Sequence, residues 1–151
     1  MSATMSGLPS IPVQVETPAG GGACHGNALA ILHEVRHALE RLISTGEATR
    51  IDLHALPFGA GDEAWLTALL GTGEVRATIE ALGPTSVQET AIPGVWLVDY
   101  HNAEGQRLAL HLEITCIPGI LRTQCRELDT AVATLDTRLG AATPGGSRPL
   151  S

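Results

Sequence analysis

From Gly73 onward the apolar residues of this chain leave a helical repeat and fall on alternate positions, and that change of period decides the fold class. Val75, Ala77, Ile79 and Ala81 alternate with Glu74, Arg76, Thr78 and Glu80, the pattern of a strand with one buried face. Gly83–Pro84 turns the chain. Ser86 to His101 is strand-like again but broken at Pro93–Gly94, where a lost N–H and a glycine predict a bulge or kink. Asn102–Gly105 closes a hairpin. A last strand sets Leu108, Leu110, Leu112 and Ile114 against Arg107, His111, Glu113 and Thr115, and Pro118 ends it.

Helical periodicity brackets this region. Leu29, Leu32, Val35, Leu39, Leu42 and Ile43 recur at three- and four-residue steps, which predicts a helix over about Asn27–Thr45 stopped by Gly46. Arg50–Leu53 reads as a short strand with Ile51 and Leu53 on one face. Asp62 is placed to cap a short helix, Glu63–Leu70, ending at Gly71. A final helix over about Leu121–Leu139 is expected to bury Leu128, Val132, Leu135 and Leu139 and to stop at Gly140. The order α-β-α-β-β-β-α describes an α+β two-layer sandwich. Its sheet is expected to be mixed and mostly antiparallel, with one parallel β-α-β crossover. Polar outer positions on the meander strands put the helices mainly on one face.

One domain is expected at 151 residues. The Pro- and Gly-rich ends, residues 1–24 and 141–151, read as flexible tails around a folded unit at 25–140. Aromatics are confined to Phe58, Trp65, Trp96 and Tyr100, so the core must be made of Leu, Ile, Val and Ala.

Charge excludes several classes of partner. The net charge is −7, and the nine basic residues are all Arg with no local run, unlike a nucleic-acid surface or a polybasic membrane patch. No apolar run approaches the ~20 residues of a membrane span. The first ten residues lack the pattern of a signal peptide, so the expected location is the cytoplasm. Cys24, Cys116 and Cys125 are odd in number and irregular in spacing, which is no disulfide framework.

His33-Glu34-Val35-Arg36-His37 matches H-E-x-x-H, the pattern that binds zinc through two His with Glu as general base. Helical geometry sets both His roughly 120–160° from the apolar stripe, on the wet face beside Arg41. No third ligand is evident, so a solvated helix face outweighs a zinc hydrolase. Cys24, Cys116 and Cys125 contain no C-x-x-C, which weakens an iron–sulfur or metal carrier. Cys116 continues the alternation of Leu110, Leu112 and Ile114 and is expected to be a core thiol. The chain has no G-x-S-x-G elbow and, lacking Lys, no phosphate loop of the Walker type. No catalytic residue and no cofactor are expected.

The segment Gln88-Glu89-Thr90-Ala91-Ile92-Pro93-Gly94-Val95-Trp96 differs from its surroundings. Glu89 shares strand parity with Val87 and Ala91, which directs a carboxylate towards an apolar face beside a kink. Together with Leu70-Gly71-Thr72-Gly73-Glu74-Val75, Ile51-Asp52-Leu53, Leu56-Pro57 and Ile117-Pro118-Gly119-Ile120-Leu121, it resembles the C-terminal domain of the HupH/HyaF family of hydrogenase expression proteins. The resemblance runs over about residues 27–140. It implies a non-catalytic maturation factor for nickel–iron hydrogenases, similar to the short stand-alone HoxT/HupJ-like members. The implied partner is the iron–sulfur small-subunit precursor before export, or a fellow maturation protein. The implied contact surface lies around Glu74, Gln88, Glu89, Trp96 and Pro118.

Overall fold

A computed structural model describes residues 26–58 and 60–143. The expected tails lie outside these residues, except that residues 141 and 142 end the last helix and Thr143 follows it as its cap.

Helix α1 spans Gly26–Thr45 and is closed by Gly46, whose N–H donates to the Leu42 carbonyl at 2.9 Å. It buries Ala28, Ile31, Val35 and Ala38, with Leu32, Leu39 and Leu42 packed alongside. Leu29 and Ile43, expected inside, are exposed. The buried line runs through Ala28, Ile31, Val35 and Ala38, and Leu29 and Ile43 fall to one side of it. Strand β1 covers Thr49–Asp52 and helix α2 covers Ala60–Leu70. Because α2 starts at Ala60, Asp62 lies within its first turn rather than at its cap, a position that still complements the helix dipole.

Five strands form one sheet in the order β1-β5-β4-β3-β2. The remaining four are β2 (Arg76–Glu80), β3 (Pro84–Glu89), β4 (Val95–His101) and β5 (Arg107–Ile114). Two expectations are corrected here. Pro93–Gly94 is a tight turn joining two antiparallel strands, not a kink within one; the Val95 N–H reaches the Ile92 carbonyl at 3.1 Å. The expected parallel crossover is also not formed, since β1 pairs antiparallel with β5, Ile51 opposite Leu112. That pairing lets Ile51 and Leu53 share the face of Leu110 and Leu112, and the Leu53 N–H donates to the Leu110 carbonyl at 2.9 Å.

Helices α1 and α2 cover the face bearing Ile51, Val95, Leu110, Leu112 and Ile114. The opposite face, expected to be polar, centres on a second apolar cluster of Val87, Trp96 and Val98 with Ala77, Ile79, Tyr100 and Leu121 around it. The cause is the unbroken run Val95-Trp96-Leu97-Val98, which places apolar side chains on both faces of the central strand.

After β5 the chain passes through a single 3-10 turn, Gly119–Leu121, into helix α3, Cys125–Ala142. The Glu127 carboxylate accepts the Gln124 N–H at 3.1 Å and anchors its start. Contrary to expectation, α3 buries nothing: Leu128, Val132, Leu135 and Leu139 are all more than half exposed. Arg122 and Gln124, on the connection into α3, both have extended backbone. Gly140 lies inside the helix instead of ending it.

Candidate functional site

The segment that follows α2 is tied along β3. Gly71, at φ +67°, ends α2 by donating to the Thr67 carbonyl at 3.0 Å. The Ala91 N–H donates to the Leu70 carbonyl, the Gly73 N–H to the Glu89 carbonyl and the Glu89 N–H to the Val75 carbonyl, all at 2.8–2.9 Å. Gly73 is needed for the approach: a Cβ there would lie 2.5 Å from the Thr90 carbonyl oxygen and 3.1 Å from the Glu89 side chain.

Side chains complete this corner. The Gln88 amide donates to the Glu89 carbonyl at 2.8 Å and reaches the Val75 carbonyl at 3.2 Å, while its Oε1 accepts from Arg76 Nε at 2.6 Å. The Thr90 hydroxyl donates to the Val95 carbonyl at 2.9 Å across the turn. Trp96 is 6 % exposed and donates its indole N–H to the Thr115 carbonyl at 3.0 Å. Pro118 is fully buried.

Glu74, Gln88 and Glu89 are thus brought together, and Glu89 stands opposite Trp96 across β3 and β4. Glu74 is exposed and Glu89 half-buried on the face of Val87; neither carboxylate has a hydrogen-bond or ion-pair partner among the described residues. Gln88, Trp96 and Pro118 are committed to internal contacts. Sequence reasoning missed Arg76 and Gly73. Arg76 was findable once β2 and β3 were aligned, because it pairs directly with Gln88, whereas the need for Gly73 follows only from three-dimensional proximity.

A second polar group lies on the same sheet face. Buried Glu113 accepts from Arg50 Nε at 3.2 Å, and the Tyr100 and His111 rings meet edge-on with centroids 5.1 Å apart. Burial, and secondarily the Glu113 charge, push the Tyr100 phenol above its ordinary value of about 10. The folded state therefore favours the neutral phenol. Tyr100 contributes stability that is intact below pH ~10 and is lost as pH rises through the folded value. Tyr100 is the chain's only tyrosine, so its phenolate absorbance reports this directly. A midpoint above that of the urea-unfolded chain is expected, and Tyr100→Phe should flatten the alkaline loss of stability. On the other face Arg107 ties β5 to Asp99 of β4 at 2.7 Å and to Glu63 of α2 at 2.9 Å. The hydrogen bond to Asp99 is the main cause that raises its pKa.

The candidate metal ligands are not brought together. His33, Glu34 and His37 lie on the exposed face of α1, with His37 Nδ1 3.4 Å from Glu40. Cys116, expected in the core, is exposed because β5 ends at Ile114 and the chain leaves the sheet there. Cys125 is exposed at the first residue of α3, and Cys24 lies outside the described residues. Among the described residues no three His, Cys, Asp or Glu side chains are grouped to hold a metal ion, and no helix is long and apolar enough to cross a membrane.

Comparison with known proteins adds to this geometry. Residues 26–142 match the family described as "HupH hydrogenase expression protein, C-terminal conserved region". The chain is 33 % identical over 100 residues to the hydrogenase expression/formation protein HoxQ of Azotobacter vinelandii, covering 66 % of this chain and 34 % of that one. It is 34 % identical over 93 residues to the hydrogenase-1 operon protein HyaF of Escherichia coli K12, covering 60 % and 32 %. It therefore spans about a third of the length of these curated relatives. Among solved structures, the hydrogenase expression protein HupH from Thiobacillus denitrificans superposes with a TM-score of 0.74 at 40 % identity, covering 77 % of this chain and 97 % of that one.

Proposed function

Because the chain belongs to the HupH hydrogenase expression protein C-terminal family, we propose that it is a maturation factor for a nickel–iron hydrogenase that works by binding rather than by catalysis. The observation that carries the reading is the extent of the match: residues 26–142 cover all three helices and the whole sheet. The proposed client is the iron–sulfur small-subunit precursor or a fellow maturation protein, met in the cytoplasm.

The proposed contact surface is the corner around Glu74, Gln88, Glu89, Trp96 and Pro118. Gln88, Trp96 and Pro118 give it a fixed shape, and Glu74 and Glu89 offer carboxylates to a basic group on the client. Such charges act mainly on specificity and encounter rate, with a modest share of affinity. The test is capture of the purified small-subunit precursor by the full chain. The double variant Glu74→Ala/Glu89→Ala should bind about 10-fold more weakly, roughly 1.4 kcal/mol, with an unchanged unfolding temperature. Equal binding by the double variant would place the contact elsewhere, and no binding of the precursor by the unaltered chain would remove it as the client.

A further inference from the structure

Strand β2 ends the sheet, and among the described residues its outer side hydrogen-bonds to no further strand. Its register with β3 decides which backbone groups face outward. The Glu89 N–H donates to the Val75 carbonyl and the Ala81 N–H to the Gly83 carbonyl, so the odd-numbered residues are the ones that bond β3. Antiparallel alternation then turns the N–H and C=O groups of Arg76, Thr78 and Glu80 away from the sheet. Such a row of donors and acceptors is a template for one more strand.

We propose that β2 takes up an extended segment of the client as an added strand, apolar on one face and basic at its ends. The added strand runs antiparallel, like every other pair in the sheet. This rests on the binding-factor reading above and adds how the client is held. The apolar face is set by the second apolar cluster, which runs out at β2. Ala77 and Ile79 pack against that cluster yet are only partly buried, and Val75, just before the strand, is 45 % exposed. Apolar side chains at alternate positions of an added strand extend the cluster across the edge. The basic ends are set by charge. Exposed Glu74 and Glu80 bracket the strand, and neither has a hydrogen-bond or ion-pair partner among the described residues. Arg76 offsets only one of them, and its Nε donates inward to Gln88 Oε1 on β3 at 2.6 Å.

The opposite edge of the sheet offers less. Strand β1 is four residues long, and its polar side chains are committed to their own chain. Asp52 accepts the backbone N–H groups of His54 and Ala55, Arg50 is paired with Glu113, and Thr49 accepts from Arg41. Strand β2 also adjoins the proposed contact corner, since Arg76 stands opposite Gln88. One bound segment can therefore meet both the edge and the corner.

The probe is the peptide acetyl-Lys-Val-Thr-Val-Thr-Val-Lys-amide, titrated into the full chain and followed by amide NMR. Saturable binding with a dissociation constant on the order of 100 μM is expected. The amides of Arg76, Thr78 and Glu80 should shift and exchange more slowly, while that of Ala77, already bonded to β3, changes less. Methylating the two Thr nitrogens of the peptide removes N–H groups aimed at β2 and should weaken binding at least ~10-fold. Glu80→Lys, at an exposed site, should do the same with an unchanged unfolding temperature. So should Thr78→Pro, since an edge strand tolerates proline where the N–H faces outward. No binding below about 1 mM, equal binding of the methylated peptide, or amide shifts centred on β1 would each overturn the proposal. So would a dimer in sedimentation that Thr78→Pro abolishes, because β2 would then belong to a second copy. The small-subunit precursor separates this proposal from the reading beneath it. Capture of the precursor that saturating peptide leaves unaltered would keep the binding-factor reading and overturn β2 as the client's seat.

Discussion

Replacing Trp96 with alanine is expected to lower stability by about 3–5 kcal/mol, the range for removing a buried aromatic. The indole is 6 % exposed, packs in one apolar cluster with Val87 and Val98 on the sheet face away from α1, and donates to the Thr115 carbonyl at 3.0 Å. Alanine leaves a cavity in the smaller of the two apolar clusters and strips the Thr115 carbonyl of its side-chain donor. Trp96→Phe keeps most of the volume and loses mainly the hydrogen bond, so its cost should be nearer 1–2 kcal/mol. Urea denaturation of the two variants separates the terms. A Trp96→Ala protein with unaltered stability would mean that the ring serves a partner and not the fold.

Gly73→Ala should cost about 1–3 kcal/mol through overpacking. Its backbone φ is not in the left-handed region, so the cost is one of space. The new Cβ would meet the Thr90 carbonyl oxygen at 2.5 Å, and that carbonyl belongs to the backbone of the β3–β4 turn and cannot rotate away. Relief requires the segment after α2 to move off β3, which weakens the Gly73–Glu89 and Glu89–Val75 backbone hydrogen bonds. Urea denaturation should show the lower stability, and amide exchange at Gly73 and Glu89 should accelerate more than exchange at Leu112, in the centre of the sheet. Uniform acceleration would show global destabilisation without a local change.

The elements were legible where one periodicity dominated. The helix over Asn27–Thr45 and the hairpin at Asn102–Gly105 followed from spacing and turn chemistry, because local preference and tertiary packing agree there. The α+β class and the placement of α1 and α2 on one face were legible too. The partner of β1 was not: a four-residue strand carries too little pattern to choose between neighbours, and the choice is made by Leu110 and Leu112 far along the chain. Pro93–Gly94 misled in a similar way, since the same residues that kink a strand also make the turn between two.

The last helix shows a different limit. Its apolar residues were expected to be buried and are not, because apolar spacing says only that something must cover a stripe, not that the same chain supplies it. Among the described residues none of α3 is buried. At the candidate site, the motif suggested that Glu74 and Glu89 work together, and the backbone hydrogen bonds of Gly73 and Val75 with Glu89 run on either side of Glu74. The burial of Trp96 and Pro118 and the backbone hydrogen bonds of half-buried Gln88 needed coordinates, because each depends on which segments the fold brings side by side.

Hydrogen uptake by cells that encode this chain and express their hydrogenase gives the most direct test of the maturation role. With the gene deleted, activity should fall and unprocessed small subunit should accumulate at low oxygen, high oxygen or both. The unaltered gene should restore activity, and the Glu74→Ala/Glu89→Ala form should restore less of it at equal protein level. Full hydrogenase activity at both oxygen levels in the deletion strain would contradict the account.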